Sequence, residues 1–187
     1  MSIRLSQAKE LAVKECAQAM SRIDDEAGEM LIETVLNADK VFFVGVGRVL
    51  LSLQAICKRL AHLGIDAHCV GEITEPAITS KDLLIVGSGS GETLFPVAIT
   101  KKAKDIGAKI AWIGSNDEST IALLADYVIR IPVQTKLNKE DEMKSEQPMT
   151  SLFEQSLLLF GDSIAKVIIE KKQLDMHSLW RYHANLE

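Results

Sequence analysis

Residues 88–93 read Ser-Gly-Ser-Gly-Glu-Thr, a pattern suited to holding an anion. Gly89 and Gly91 let the backbone close around a ligand, consecutive N–H groups at a helix start point at it, and Ser88, Ser90 and Thr93 add three hydroxyl donors. No lysine follows in the G-K-[ST] arrangement of a Walker loop. The chemistry indicated is therefore the binding of a phosphate monoester on a small molecule. The alternative is a glycine-rich turn whose Ser or Thr only caps the next helix. A second loop, Gly45-Val46-Gly47-Arg48-Val49-Leu50, stands where a dinucleotide fingerprint would sit, but Leu50 replaces its third glycine. Glu72 lies about 25 residues beyond Gly47, roughly where a ribose-binding acid is expected, which keeps a nucleotide reading open. Further on, Ser151-Leu-Phe-Glu154 has the spacing of a capping box at a helix start.

These residues need elements to position them. VFFVGV from Val41, AHCVG from Ala67, DLLIVGS from Asp82, AKIAWIG from Ala108 and DYVIRIP from Asp126 are short apolar runs ending in turn residues. Such runs suit strands buried on both faces. Helical spacing fills the gaps, from about Val49 to Leu63, Thr93 to Ile106 and Thr120 to Leu124. Alternation of this kind predicts right-handed βαβ units, a five-stranded parallel sheet and a three-layer α/β/α sandwich with the site at the carboxyl ends of the strands. Two amphipathic helices precede the sheet within residues 1–38, with Asp24 as a cap between them. After the α/β core of residues 40–131, the segment 132–150 is polar and charged and reads as a solvated surface loop or lid. Phe153, Leu157, Phe160, Ile164 and Ile168 then mark an amphipathic helix from Ser151 to about Lys171, followed by a short helix and a tail.

Composition limits the partners. The 187 residues suit one domain, and 47% hydrophobic with 25% charged residues suits a globular core. A net charge of −5 with no basic half argues against nucleic acid as a partner. Cys16, Cys57 and Cys69 form no C-x-x-C pair, so neither a disulfide framework nor a zinc site is indicated. The start has no apolar signal region and no run approaches the roughly 18 apolar residues of a membrane span. A cytoplasmic protein without membrane contact is the expectation.

From Val41 onward, a series of motifs occurs in order: Gly45-x-Gly47-Arg48, Arg59-Leu60-Ala61-His62-Leu63-Gly64, Val70-Gly71-Glu72, the 88–93 loop, Gly114-Ser115-Asn116, Gln147-Pro148-Met149, Ser151-Leu152-Phe153-Glu154 and His183-Ala184-Asn185-Leu186-Glu187. On these residues the chain resembles the sugar isomerase (SIS) domain family of phosphosugar-binding proteins, and within it the 6-phospho-3-hexuloisomerases. The resemblance implies a single flavodoxin-like SIS domain over 1–187 and a homotetramer built as a dimer of dimers. It also implies isomerisation of D-arabino-hex-3-ulose 6-phosphate to D-fructose 6-phosphate through a cis-enediol, with neither metal nor organic cofactor. Glu154 matches the family's proposed base, a role that suits a carboxylate brought nearer neutrality by burial. His183 matches its C-terminal histidine, which such a tail carries most easily across a subunit interface. Gly47, Arg48, Ser88, Gly89, Ser90, Gly91, Thr93 and Glu72 match phosphate- and substrate-contacting positions. One departure stands out: the family's first loop is usually G-x-G-R-S-G, whereas this chain has Val49 and Leu50, with Ser52 the next hydroxyl. That change leaves open an isomerase of another ketose phosphate, or a weakly active module that binds a phosphosugar for regulation. His62 and His68 read as structural.

Overall fold

The computed structural model describes residues 3–186. Its elements are α1 (Leu5–Met20), α2 (Asp25–Asn37), β1 (Val41–Val44), α3 (Gly47–His62), β2 (Ala67–Cys69), β3 (Leu83–Gly87), α4 (Leu94–Ile106), β4 (Lys109–Gly114), α5 (Thr120–Leu124), β5 (Tyr127–Arg130) and α6 (Ser151–Lys171), with a 3-10 turn at Ser178–Tyr182. Asp24 caps α2 by accepting from the Glu26 N–H at 3.1 Å. Gly107, in the left-handed region at φ 92°, ends α4, a conformation that glycine adopts without a Cβ penalty.

The five strands are parallel in the order β2-β1-β3-β4-β5. Because side chains alternate across a strand, Val41, Phe43, Leu83, Ile85, Ala111 and Ile113 face one layer, built from α1, α2, α3 and α6. Phe42, Val44, Leu84, Val86, Ile110 and Trp112 face the other, built from α4 and α5. This is the three-layer α/β/α sandwich that the periodicity predicts.

The segment 132–150 departs from its expected character. It is not simply a solvated loop: Val133 is fully buried and bridges to Met143, and Thr135 and Glu142 are buried as well. A polar segment can enter a fold when its polar atoms are all satisfied. Here Glu15 of α1 accepts from Ser145 Oγ at 2.7 Å, the Glu146 N–H at 2.8 Å and Gln147 Nε2 at 3.0 Å, tying the segment to the first helix.

Candidate active site

The strand order places the gap between β1 and β3 at a switch point. The chain leaves β1 through α3 on one face and leaves β3 through α4 on the other, so two helix N-termini flank one crevice at the carboxyl edge of the sheet. Each brings unsatisfied backbone N–H groups and the positive end of a dipole. A cleft of about 200 Å³ opens there, lined by residues of the segments 46–49, 87–93, 135–136 and 150–154. That volume is small for a dinucleotide and suits the phosphorylated end of a small molecule.

The 88–93 loop forms one wall, and the turn after β4 holds it in shape. Gly89 O accepts from the Ser115 and Asn116 N–H groups at 2.9 and 3.2 Å, Ser90 O accepts from Asn116 Nδ2 at 3.4 Å, and Ser88 O accepts from Trp112 Nε1 at 3.1 Å. With the carbonyls drawn away, the Gly89 and Ser90 N–H groups donate to nothing among the described residues. Ser88 Oγ and Thr93 Oγ1 lie 3.1 Å apart. Thr93 is the N-cap residue of α4 without a capping side-chain bond, so the capping alternative does not account for its hydroxyl. Gly91 sits at φ +66°, where a Cβ would overlap the Ser119 side chain. It shapes the loop without lining the cleft. Glu92 precedes α4 and bonds the Thr120 N–H and hydroxyl at 2.6 and 2.8 Å, which hold its carboxyl below the usual range.

Glu154 stands on the opposite wall, in the first turn of α6, with its side chain 9% exposed. Arg48 Nε donates to its Oε2, and Thr150 Oγ1 donates to its Oε1 at 3.0 Å. The capping box expected at Ser151 is not formed. Thr150 is the N-cap, one residue earlier than that box requires, and the Glu154 carboxylate faces Arg48 and the cleft in an ion pair between two helices of the same chain. Ser52 Oγ donates to Glu154 O at 2.9 Å, so it braces α3 on α6 and lies outside the cleft lining.

Arg48, Ser88, Gly89, Ser90, Thr93 and Glu154 thus come together from positions far apart in sequence. Gly47, at φ +60° with open space at its Cβ position, begins α3 beside them. Glu72 does not line the cleft; it lies in the turn after β2. His183 is also elsewhere in the same chain. It stacks on His62 at 5.2 Å between ring centroids, at the far end of α3, which at about 1.5 Å per residue is roughly 22 Å from Gly47. Glu187, the end of its motif, lies outside the described residues. The lining also includes Thr135, Lys136 and Thr150, which sequence spacing does not single out, and Phe153, which it marks only as part of the apolar stripe of α6. Lys136, next to Thr135 in a polar segment, is the signal the sequence carries for this wall. Among the described residues, no group of three or more His, Cys, Asp or Glu is placed to hold a metal, and no helix is long and apolar enough to cross a membrane.

Residues 34–161 match the family model described as the SIS domain. The chain is 39% identical over 175 residues to a 3-hexulose-6-phosphate isomerase of Bacillus subtilis, covering 94% of this chain and 95% of that protein. It is 36% identical over 173 residues to a 3-hexulose-6-phosphate isomerase of Mycobacterium gastri, covering 92% of this chain and 86% of that one. Among solved structures, it superposes with a TM-score of 0.84 and 29% identity on a hypothetical protein of Methanococcus jannaschii, whose structure was used to infer a 3-hexulose-6-phosphate isomerase function, covering 96% of this chain and 99% of that one.

Proposed function

The chain belongs to the SIS domain family, and we propose that it is a 3-hexulose-6-phosphate isomerase, interconverting D-arabino-hex-3-ulose 6-phosphate and D-fructose 6-phosphate. The observation that carries the reading is the meeting, in one small cleft, of an anion-binding loop and the Glu154 carboxylate. Family membership sets aside the dinucleotide reading of the first loop.

The reaction moves a carbonyl by one carbon and consumes no second substrate. Glu154 takes the proton from C2 of the 3-ketose, and the electron pair of that C–H bond forms the C2–C3 double bond of a cis-enediol. The C3 oxygen takes a proton from solvent. Glu154 then returns its proton to C3 while the C2 hydroxyl releases its own to solvent, leaving the carbonyl at C2 with no net change in protons. Thr150 and Arg48 hold the two carboxylate oxygens in place. The phosphate lies on Ser88, Ser90, Thr93 and the N–H groups of the 88–93 loop, and Gly47 and Arg48 line the approach.

The whole chain reads as one SIS domain, with α1 and α2 packed on the α6 layer. A homotetramer built from dimers suits it, supported by the exposed Leu51 and Leu159 on α3 and α6, and by the distance of His183 from the cleft of its own chain. In that assembly His183 assists the site of a neighbouring subunit, and Glu72 supports the loops around it. A cytoplasmic location agrees with three buried cysteines, none in a disulfide.

The deciding experiment follows conversion of hex-3-ulose 6-phosphate to fructose 6-phosphate in wild type and Glu154→Gln. Loss of about 10²- to 10⁴-fold in kcat with the ligand still bound is the expected result. Full turnover in the variant would move the base elsewhere. The second reading, a binding-only module, is favoured by Val49 in the cleft wall. It predicts fructose 6-phosphate binding without turnover in the wild type.

A further inference from the structure

A phosphate monoester carries close to two negative charges at neutral pH, whereas helix N-termini offer only partial positive charge. Arg48 lines the cleft but is engaged with Glu154 through Nε, so a cation committed to the phosphate alone is sought on another element. The segment between β5 and α6 carries Lys136, Lys139 and Lys144. Lys139 Nζ is held by Asn116 Oδ1 at 2.7 Å and Glu118 Oε2 at 2.8 Å, and Lys144 Nζ by Asn138 Oδ1 at 2.6 Å. Lys136, in contrast, forms no hydrogen bond or ion pair with the described residues and lines the cleft beside Thr135.

A buried carboxylate fixes the turn that presents it. Glu142 is 3% exposed. Its Oε1 accepts from Thr135 Oγ1 at 2.7 Å and Ser115 Oγ at 3.2 Å, and its Oε2 accepts from the Thr135 and Lys139 N–H groups at 3.0 and 3.1 Å. Thr135 Oγ1 in turn accepts from the Leu137 N–H at 3.2 Å, and Asn138 closes the turn at φ 52°. Both ends of the 135–139 turn therefore hang on one side chain, and Ser115 links that side chain to the turn that shapes the 88–93 loop.

We propose that Lys136 is the cation that binds the phosphate of the substrate, that Glu142 is the positioning residue that presents it, and that the pair offsets the hydroxyl missing at Val49. This rests on the phosphosugar reading of the cleft. A charge-assisted hydrogen bond of this kind corresponds to about 10- to 100-fold in affinity.

Fructose 6-phosphate and, separately, inorganic phosphate are titrated by calorimetry into wild type, Lys136→Met, Lys136→Arg, Glu142→Gln and the Lys136→Met/Glu142→Gln double variant, with turnover measured alongside. Lys136→Met is expected to weaken both ligands about 10- to 100-fold and to raise KM far more than it lowers kcat, and Lys136→Arg to recover most of the affinity. If Glu142 acts through Lys136, the double variant binds no more weakly than Lys136→Met alone. Lys136 is exposed, so its single variants test the cation directly even where Glu142→Gln does not fold. Unchanged affinity for both ligands in Lys136→Met overturns the proposal, and wild-type turnover then leaves the isomerase reading standing. Phosphate affinity that depends on Lys136 in a wild type without turnover keeps this site and removes the isomerase. A wild type that binds neither ligand removes both.

Discussion

Arg48 on the first turn of α3 donates through Nε to Glu154 Oε2 on the first turn of α6, joining residues 106 positions apart at the mouth of the cleft. The pair is asymmetric. The Glu154 side chain is 9% exposed and that of Arg48 64% exposed, so the carboxylate depends on the guanidinium for orientation more than the guanidinium depends on it.

Replacing Arg48 with Met is expected to lower kcat/KM about 10- to 100-fold, chiefly through kcat, because a misdirected base loses its line to the C2 proton. Arg48→Lys should recover only part of this, since an ammonium is a point charge without the fixed fork of a guanidinium. Steady-state kinetics of both variants check it, and equal activity of Lys and Arg would mean that charge alone matters.

Val49 lines the cleft and Leu50 does not. Val49→Ser alone is therefore expected to tighten fructose 6-phosphate binding, by about 10-fold or more. Adding Leu50→Gly should contribute no further affinity and cost up to about 1 kcal/mol of helix stability. Calorimetry on the single and double variants separates the two positions, and a gain that appears only with Leu50→Gly would place the departure in loop shape.

Gly91 and Gly47 both have positive φ, but a Cβ at Gly91 runs into Ser119 whereas at Gly47 it meets open space. Gly47→Ala should cost only the left-handed strain, about 1–2 kcal/mol. Gly91→Ala should cost more and should also abolish phosphosugar binding, because the loop must move to admit the methyl. Thermal unfolding and ligand titration of the two variants test the ordering.

Glu15 gives an acid-side stability signature. Burial pushes its carboxyl up, but the bonds from Glu146, Ser145 and Gln147 outweigh that and hold it below its ordinary value of 4.5. A folded pKa below the unfolded one contributes stability that is present above 4.5 and is lost as pH falls through the folded value. Glu15→Gln is therefore expected to lower Tm at pH 7 by several degrees, from a loss of about 1–3 kcal/mol. The difference from wild type should shrink below pH 4.5. A difference that stays constant down to pH 3, about 1.5 units lower, would mean that the charge is not what holds the segment.

His183 and Glu154 act from different chains in the proposed tetramer. Neither His183→Ala nor Glu154→Gln alone should turn over well, whereas oligomers reassembled from the two together should regain activity, because some sites then pair an intact Glu154 with an intact His183. Failure to regain activity, with mixed oligomers demonstrated by native mass spectrometry, would place His183 outside the reaction.

Local spacing determined much of this protein. The 3.6 and 2 residue periods mark the helices and strands, Asp24 is legible as a cap, and α6 spans Ser151–Lys171 as its apolar stripe predicts. The 88–93 loop declares its anion chemistry from residue types alone, because backbone flexibility, hydroxyls and a helix start all act within six positions. What the spacing could not carry was partnership across the chain. Ser151 and Glu154 have the pattern of a cap, yet Glu154 faces Arg48, since only the packing of α3 on α6 brings a guanidinium to that carboxylate. Segment 132–150 looks solvated until Glu15 and Glu142, from outside and within it, satisfy its donors and turn Lys136 toward the cleft. Strand order decided the rest: placing β1 beside β3 with their helices on opposite faces creates the crevice, and no local pattern encodes which strands become neighbours.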